Sequence, residues 1–332
     1  MSRPGEFEWI SKYLAPLAGD GAFGLKDDAA LLATDKSKDL VITQDAILET
    51  VHFFSNETPA LIARKALRVN ASDLIAKGAT PVSYSMAIGI PESWTEASMA
   101  LFADGLARDQ KELSIQLTGG DTFVSPKNLS VAVTMLGEIE PGKYVSRLGA
   151  RPGDILCTTG TIGDAAIGLW IKSGGCVDVP NVDSQWLIGR HQVPRPPLGF
   201  QSIVSQYATA SMDISDGLLG DLAKLCGASG VGAWVERNKV PLSLAVQELL
   251  DSRAGDEQAC TDIWKRIVAG GDDYQVLFTV SPENLMACRS SAGNQGYMVT
   301  AIGEITDDAK HSVSLTRDGV PMSVGHMSYT HF

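Results

Sequence analysis

Lys65-Ala66-Leu67-Arg68-Val69-Asn70-Ala71-Ser72-Asp73-Leu74 decides how the first half of the chain is read. Ile62, Ala66, Val69 and Ala76 form one apolar stripe at 3.6-residue spacing, and Asp73 falls on it. The spacing predicts a helix over 59–77 with a carboxylate on its inward face. Such a charge needs a buried Arg or Lys, a metal ion, or a proton. The helix alone leaves cation binding and a structural ion pair equally open.

Working outward, β-favouring runs at 40–43, 84–90, 115–118 and 129–139 alternate with this helix and with a second helical stretch at 94–111. Phe7, Ile10, Leu14 and Leu17 predict an amphipathic helix at the start. Arg147-Leu148-Gly149-Ala150-Arg151-Pro152-Gly153-Asp154 is a turn-rich joint, after which 155–159 begins a second α/β series. We place the domains at 1–146 and 147–332. Asn70-Ala71-Ser72-Asp73 is echoed by Asp213-Ile214-Ser215-Asp216, and Gly119-Gly120-Asp121 by Gly270-Gly271-Asp272, which leaves distant duplication and chance both open.

The 332 residues suit two domains, and 44% hydrophobic with 20% charged residues is the composition of a packed globular protein. A net charge of -12 argues against nucleic-acid binding, which needs a basic surface. Cys157, Cys176, Cys226, Cys260 and Cys288 contain no Cys-x-x-Cys pair, so a reducing compartment fits. No run of about 18 apolar residues occurs, and we expect a cytoplasmic protein without membrane attachment.

Gly19-Asp20-Gly21-Ala22-Phe23-Gly24 satisfies Gly-x-Gly-x-x-Gly, but it leaves a helix where a dinucleotide loop leaves a strand, and Leu25-Lys26 replace the Lys-Ser/Thr of a P-loop. It is read as a loop. Gly160-Thr161-Ile162-Gly163-Asp164, before a helical run at 165–172, is either a phosphate-facing helix start or a plain turn. The histidines lack metal-ligand spacing, and hydrolase motifs are missing. The stronger signal is Asp beside small residues at the ends of expected elements: Asp27-Asp28, Asp45, Asp73, Asp121, Asp213 with Asp216, and Asp272-Asp273. Hard oxygen donors of this kind suit Mg²⁺.

Taken together with Gly5-Glu6-Phe7-Glu8, Thr43-Gln44-Asp45, Val51-His52-Phe53, Lys77-Gly78-Ala79, Pro194-Arg195-Pro196 and Gly270-Gly271-Asp272-Asp273-Tyr274, these motifs resemble the thiamine-monophosphate kinases over nearly the whole chain. That family shares a superfamily with aminoimidazole ribonucleotide synthetase and selenophosphate synthetase. The resemblance implies the two-domain α/β (α+β) fold of the superfamily, with an N-terminal mixed sheet that forms a dimeric barrel and a C-terminal α/β domain. It also implies a homodimer that uses ATP and several Mg²⁺ ions to phosphorylate thiamine monophosphate by direct in-line transfer. By the resemblance, Asp28, Thr43, Asp45, Asp73, Asp121, Asp213 and Asp216 hold metal; Gly120, Asp121, Arg147 and Ser215 contact nucleotide; His52, Asp272 and Tyr329 face the acceptor. No covalent nucleophile or general base is assigned. Lys26, Gln44, Glu49-Thr50, Phe123 and Gln275 depart from the family's commonest wording and bear on loop geometry and substrate fit. Two alternatives stand beside this reading: another ATP-dependent enzyme of the superfamily, and a noncatalytic nucleotide or divalent-cation binder.

Overall fold

The computed structural model describes residues 5–27, 29–32, 34–175, 182–308, 310 and 312–322. Asp28 and Tyr329 lie outside the described residues. Two compact units divide the chain, Met1–Leu74 with Ala79–Gly142 and Ile75–Gly78 with Lys143–Phe332. Among the described residues no helix is long and apolar enough to cross a membrane.

The first unit opens with α1 (Glu6–Trp9), which widens to a π turn over Ile10–Leu14 and tightens to a 3-10 turn over Ala15–Leu17. The expected amphipathic helix is therefore irregular, because Pro16 has no N–H to continue an α ladder. Then come β1 (Asp39–Leu48), α2 (Pro59–Ala76), β2 (Thr80–Pro91), α3 (Glu96–Leu113), β3 (Gln116–Ser125) and β4 (Ser130–Ile139). The sheet order is β1-β4-β2-β3, parallel only between β2 and β3, which α3 connects. β4 alternates strictly, with Val131, Val133 and Met135 buried. In α2 the run Leu67 to Leu74 is buried almost throughout, polar Asn70 and Ser72 included. Arg68 goes to α3, where buried Asp109 meets its Nε at 2.5 Å and the Nε of Arg64 at 2.8 Å.

Two sequence expectations change here. Asp45 and Asp121 lie inside β1 and β3, although both were expected at strand ends. Gly119 and Gly120 cause the second difference: extended backbone at φ 159° and 155° carries β3 through the pair while it stays registered on β2. The supposed echoes also separate, since Asn70-Ala71-Ser72-Asp73 is helical while Asp213-Ile214-Ser215-Asp216 runs from a strand into a loop. These two segments therefore have no common local structure.

The second unit contains β5 (Ile155–Thr159), α4 (Asp164–Lys172), α5 (Ser184–Gln192), α6 (Gln201–Tyr207), β6 (Ala208–Asp213), α7 (Leu218–Ser229), β7 (Gly232–Glu236), α8 (Leu244–Asp251), α9 (Glu257–Ala269), β8 (Val276–Val280), α10 (Leu285–Asn294), β9 (Val299–Thr306), β10 (Val313–Arg317) and β11 (Val320–Met322). Its sheet order is β11-β10-β7-β9-β5-β8-β6, antiparallel except between β10 and β7. β8 is buried at every residue, as its continuous apolar run requires. Asp183, Ser243 and Asp256 cap the starts of α5, α8 and α9 through their side chains. The core joins Leu156 and Met212 of the sheet to Ile167, Leu187, Leu222 and Ile267 of the helices.

Candidate functional site

In the first unit, the acidic motif is built where β1 passes α2. Thr43 and Asp45 share a strand face because side chains alternate, and that face meets the helix. Thr43 Oγ1 donates to Asp73 Oδ2 at 2.6 Å, and the Asp45 N–H donates to Asn70 Oδ1 at 3.0 Å. Asn70, absent from the expected site set, holds the two elements in register and gives its own Nδ2 to the Ala66 carbonyl at 2.9 Å. A buried Asn four residues from an apolar helix position was the available signal. His52 Nδ1 accepts the Leu48 N–H at 2.9 Å, which fixes the ring against the end of β1, and Lys65 Nζ donates to the His52 carbonyl at 2.9 Å.

The other face of the same sheet forms a cavity of about 560 Å³, lined among others by Glu6, Asp27, Gln44, Thr118, Gly120 and Asp121. Register explains this grouping. Asp121 lies opposite Ala87, which pairs with Ala132, which pairs with Ala46, one residue out of phase with Asp45. The structure thus brings Thr43 and Asp73 together and places Asp121 on the opposite face. Small side chains on the central strands leave room for the cavity. Gly120 is required there, since a Cβ would stand 1.8 Å from the Met86 carbonyl oxygen. Thr122 Oγ1 donates to Glu6 Oε1 at 2.9 Å, tying the N-terminal helix to the cavity wall.

In the second unit, Asp213 ends β6, buried to 6% exposure. The following loop is pinned by backbone bonds: Ile214 N to Gln275 O at 2.8 Å, Asp272 N to Ser215 O at 2.9 Å, and Tyr274 N to Ile214 O at 2.8 Å. Gly271 permits this approach, because a Cβ would lie 2.1 Å from the Ser215 carbonyl oxygen. Ser215 and Asp216 both donate their N–H groups to Asp221 Oδ2, at 2.9 and 2.8 Å. Lys224 bridges Asp216 and Asp221, so any cation at Asp216 competes with an ammonium group. Arg147 is exposed and gives its carbonyl to Ser229 Oγ at 2.7 Å.

Sequence reasoning named Asp273 and Asp164 but did not foresee that both are buried beneath this loop. Asp273 is 1% exposed and accepts from Gly163 N at 2.6 Å and Ala165 N at 3.2 Å. Those two N–H groups at the start of α4, weighed above as a phosphate cradle, are thereby taken by a carboxylate. Burial, reinforced by Asp164, pushes Asp273 up to about 8. Burial also raises Asp164, against hydrogen bonds from Ser243 and Thr161 and the charge of Arg190. The last turn of α5 supplies Arg190, whose Nε is 3.7 Å from Asp164 Oδ2, and His191, whose Nδ1 is 2.9 Å from Asp272 Oδ2. Consecutive basic residues at a helix end were the legible signal.

Among the described residues no three His, Cys, Asp or Glu side chains form a ready metal cage. The donors present are nevertheless carboxylate and hydroxyl oxygens, and Mg²⁺ is usually held by one or two carboxylates completed by water and substrate phosphates. The donor set fits Mg²⁺ on those terms. Burial raises the thiols of Cys157 and Cys226 to about 12 and that of Cys288 to about 11, which makes them poor nucleophiles.

Residues 26–139 match the AIR synthase related protein, N-terminal domain, and residues 151–316 match the C-terminal domain of that description. The thiamine-monophosphate kinase of Caulobacter vibrioides is 38% identical over 325 residues, covering 97% of this chain and 90% of that protein. The crystal structure of thiamine-monophosphate kinase from Stenotrophomonas maltophilia K279a is similar with a TM-score of 0.82 at 32% identity, over 97% of this chain and 99% of that one. The structure of AaThiL complexed with AMPPCP and TMP is similar with a TM-score of 0.76 at 30% identity, over 99% of this chain and 97% of that one.

Proposed function

Because this chain belongs to the thiamine-monophosphate kinase family of AIR synthase related proteins, we propose that it transfers the γ-phosphoryl group of ATP directly to thiamine monophosphate, giving thiamine diphosphate and ADP. The carrying observation is the likeness over nearly the full chain to enzymes of that name, one of them crystallised in the same overall fold. A phosphate monoester has its second pKa near about 6, so the acceptor is largely ionised at neutral pH and needs no general base. The obstacle is repulsion between two anions. Mg²⁺, when bound, would supply the positive charge that this approach requires.

The residues proposed to hold it are Asp28, Thr43, Asp45, Asp73, Asp121, Asp213 and Asp216. The Thr43–Asp73 contact supports that role for one pair, because it fixes two oxygens on separate elements. Gly120, Asp121, Arg147 and Ser215 are proposed to position the nucleotide. In support, Gly120 and Asp121 line the 560 Å³ cavity, where a close backbone leaves space for phosphate oxygens. His52, Asp272 and Tyr329 are proposed to orient the acceptor so that the two phosphates meet in line. The functional division proposed is 1–146 for metal, nucleotide and self-association, and 147–332 for acceptor and nucleotide. A cytoplasmic homodimer is the proposed form. Leu40, Ile42 and Phe123, exposed on the outward face of the first sheet, support a second copy as its cover.

Label transfer tests the activity. With γ-labelled ATP and Mg²⁺, the label should enter the terminal phosphate of thiamine diphosphate in step with ADP, and a panel of other phosphate esters should react poorly. ADP formed with another acceptor in preference would assign the chain to a different ATP-dependent reaction. Nucleotide binding without turnover would make it a noncatalytic binder.

A further inference from the structure

Lys224 has no role in the function proposed above, yet its ammonium bridges two acids of very different burial. One contact goes to Oδ2 of Asp216, whose side chain is 34% exposed, and the other to Oδ1 of Asp221, which has no exposed surface, at 2.8 Å. The Asp221 carboxylate divides its work between its two oxygens. Oδ2 accepts the N–H groups of Ser215 at 2.9 Å and Asp216 at 2.8 Å, which fixes the loop between β6 and α7, while Oδ1 serves Lys224. That loop is fastened elsewhere too. Gly217, at φ 108°, turns the chain into α7 where a Cβ would come within 2.7 Å of the Ala269 backbone, and Ser215 O accepts the Asp272 N–H at 2.9 Å. The backbone is therefore held, whereas the 41% exposed Lys224 side chain can pivot on its flexible stem. Its two contacts are unequal. A buried carboxylate loses much when its cation leaves, but a partly exposed one exchanges partners at little cost.

We infer that Lys224 is a built-in counter-ion for the Asp216 position: in the metal-free protein it bridges Asp216 and Asp221, and when Mg²⁺ takes Asp216 it withdraws onto Asp221 alone. This rests on the assignment of Asp216 to metal. Two consequences follow from the geometry. Asp221 keeps Ser215 and Asp216 in place whether or not metal is bound, and the ammonium sets a threshold, because Mg²⁺ must displace it and then lie near its charge. Asp221 and Lys224 are positioning residues that act on the metal through Asp216.

Calorimetric titration of the full-length protein with Mg²⁺ in the presence of AMPPCP reads metal affinity without turnover. Lys224→Gln keeps a donor for Asp221 Oδ1 but removes the charge, and it should tighten Mg²⁺ about fivefold, the upper end of what a partly exposed ion pair is worth. Lys224→Arg keeps the charge and should stay within about twofold of wild type. Asp221→Asn acts in the opposite direction: it takes away the second seat of the ammonium, leaves Lys224 on Asp216, and should weaken Mg²⁺ about fivefold. Adding Lys224→Gln to it should restore at least wild-type affinity, which a loop merely loosened by Asp221→Asn would not do. Thermal melts of each variant confirm that folded protein is compared. Should Asp221→Asn fail to fold, Lys224→Gln in the Asp216→Asn background decides, where it should change Mg²⁺ affinity less than about twofold. An equal tightening there would be the general effect of one positive charge fewer on a chain of net charge -12, and would overturn the inference. Unchanged affinity in Lys224→Gln, or no recovery in the double variant, would overturn it as well. The metal assignment survives each of these results, provided that Asp216→Asn alone weakens Mg²⁺. Unchanged Mg²⁺ affinity in Asp216→Asn overturns both together.

Discussion

Replacing Asp109 with Asn should loosen the first unit more than any other single charge removal described here. Asp109 has no exposed surface and accepts from Arg64 Nε at 2.8 Å, Arg68 Nε at 2.5 Å and Arg68 Nη2 at 3.0 Å. Arg68 is itself only 5% exposed, so its guanidinium cannot turn to water when the carboxylate is lost, and it keeps the half-exposed Glu112, 2.6 Å from Nη2, as a partner. Removing one member of a buried pair costs about 3–5 kcal/mol, chiefly through the charge left behind, and the remaining Glu112 contact places the expected loss toward the lower end of that range. At about 2–4 °C per kcal/mol, the melting transition should fall by roughly 6–20 °C. Urea and thermal melts at neutral pH measure the loss. A companion variant, Arg68→Met with Asp109→Leu, removes both charges and should recover much of it, with Arg64 turning to Glu112, now 3.6 Å away. A loss below about 1 kcal/mol in Asp109→Asn would refute the reasoning, because it would mean that solvent screens the pair as it does at a surface. The functional consequence is specific. The same helix carries Asn70 and Asp73, so below its lowered melt the variant should keep its turnover and lose it only as α2 detaches.

Asp273→Asn should flatten the pH dependence of stability. The native acid titrates near 8 against 3.8 when unfolded, so its stabilising proton is fully present below about 4 and is lost as pH rises through 8. The slope removed should integrate to several kcal/mol, on the order of 1.4 kcal/mol per pH unit, and urea melts from pH 5 to 9 with unchanged slope would contradict it. Gly120→Ala should destabilise by about 1–3 kcal/mol and weaken protection by nucleotide, as overpacking requires. Gly119→Ala shares the backbone strain of positive φ, at 159° against 155°, but its methyl would meet nothing within 4 Å, so the excess loss at Gly120 isolates the Met86 clash, and equal effects of the two would show that the Met86 approach is not the cause. Asn substitutions at Asp45, Asp73 and Asp121 should abolish activity and leave metal-free stability unchanged or slightly raised, while Mg²⁺ with ATP stabilises them less than wild type. A large loss of metal-free stability with full ligand stabilisation would mark them as scaffold.

The sequence made the helix over 59–77 and the four strands of the first unit legible, because period and turn chemistry are local. Strand direction was not legible: alternation of elements reads the same for a parallel sheet and for the largely antiparallel one found in the second unit. The position of Asp121 was misjudged because Gly-Gly reads as a turn, although two glycines can also extend, at positive φ that other residues rarely adopt, when a neighbouring strand pairs with them. Arg68 and Asp73 sit five residues apart in one motif, yet Arg68 is directed to Asp109, forty-one residues away. Such a partner is fixed by packing, which no spacing rule encodes. The anchoring of Asp273 escaped for the same reason, since only the fold brings residue 273 to the start of α4.

The central claim is direct transfer from ATP to thiamine monophosphate, and the stereochemical course at phosphorus tests it most directly. With ATP made chiral at a γ-thiophosphoryl group, a single in-line displacement should deliver that group to thiamine monophosphate with inverted configuration. Net retention would reveal two successive displacements through a covalent phospho-enzyme and would contradict the account.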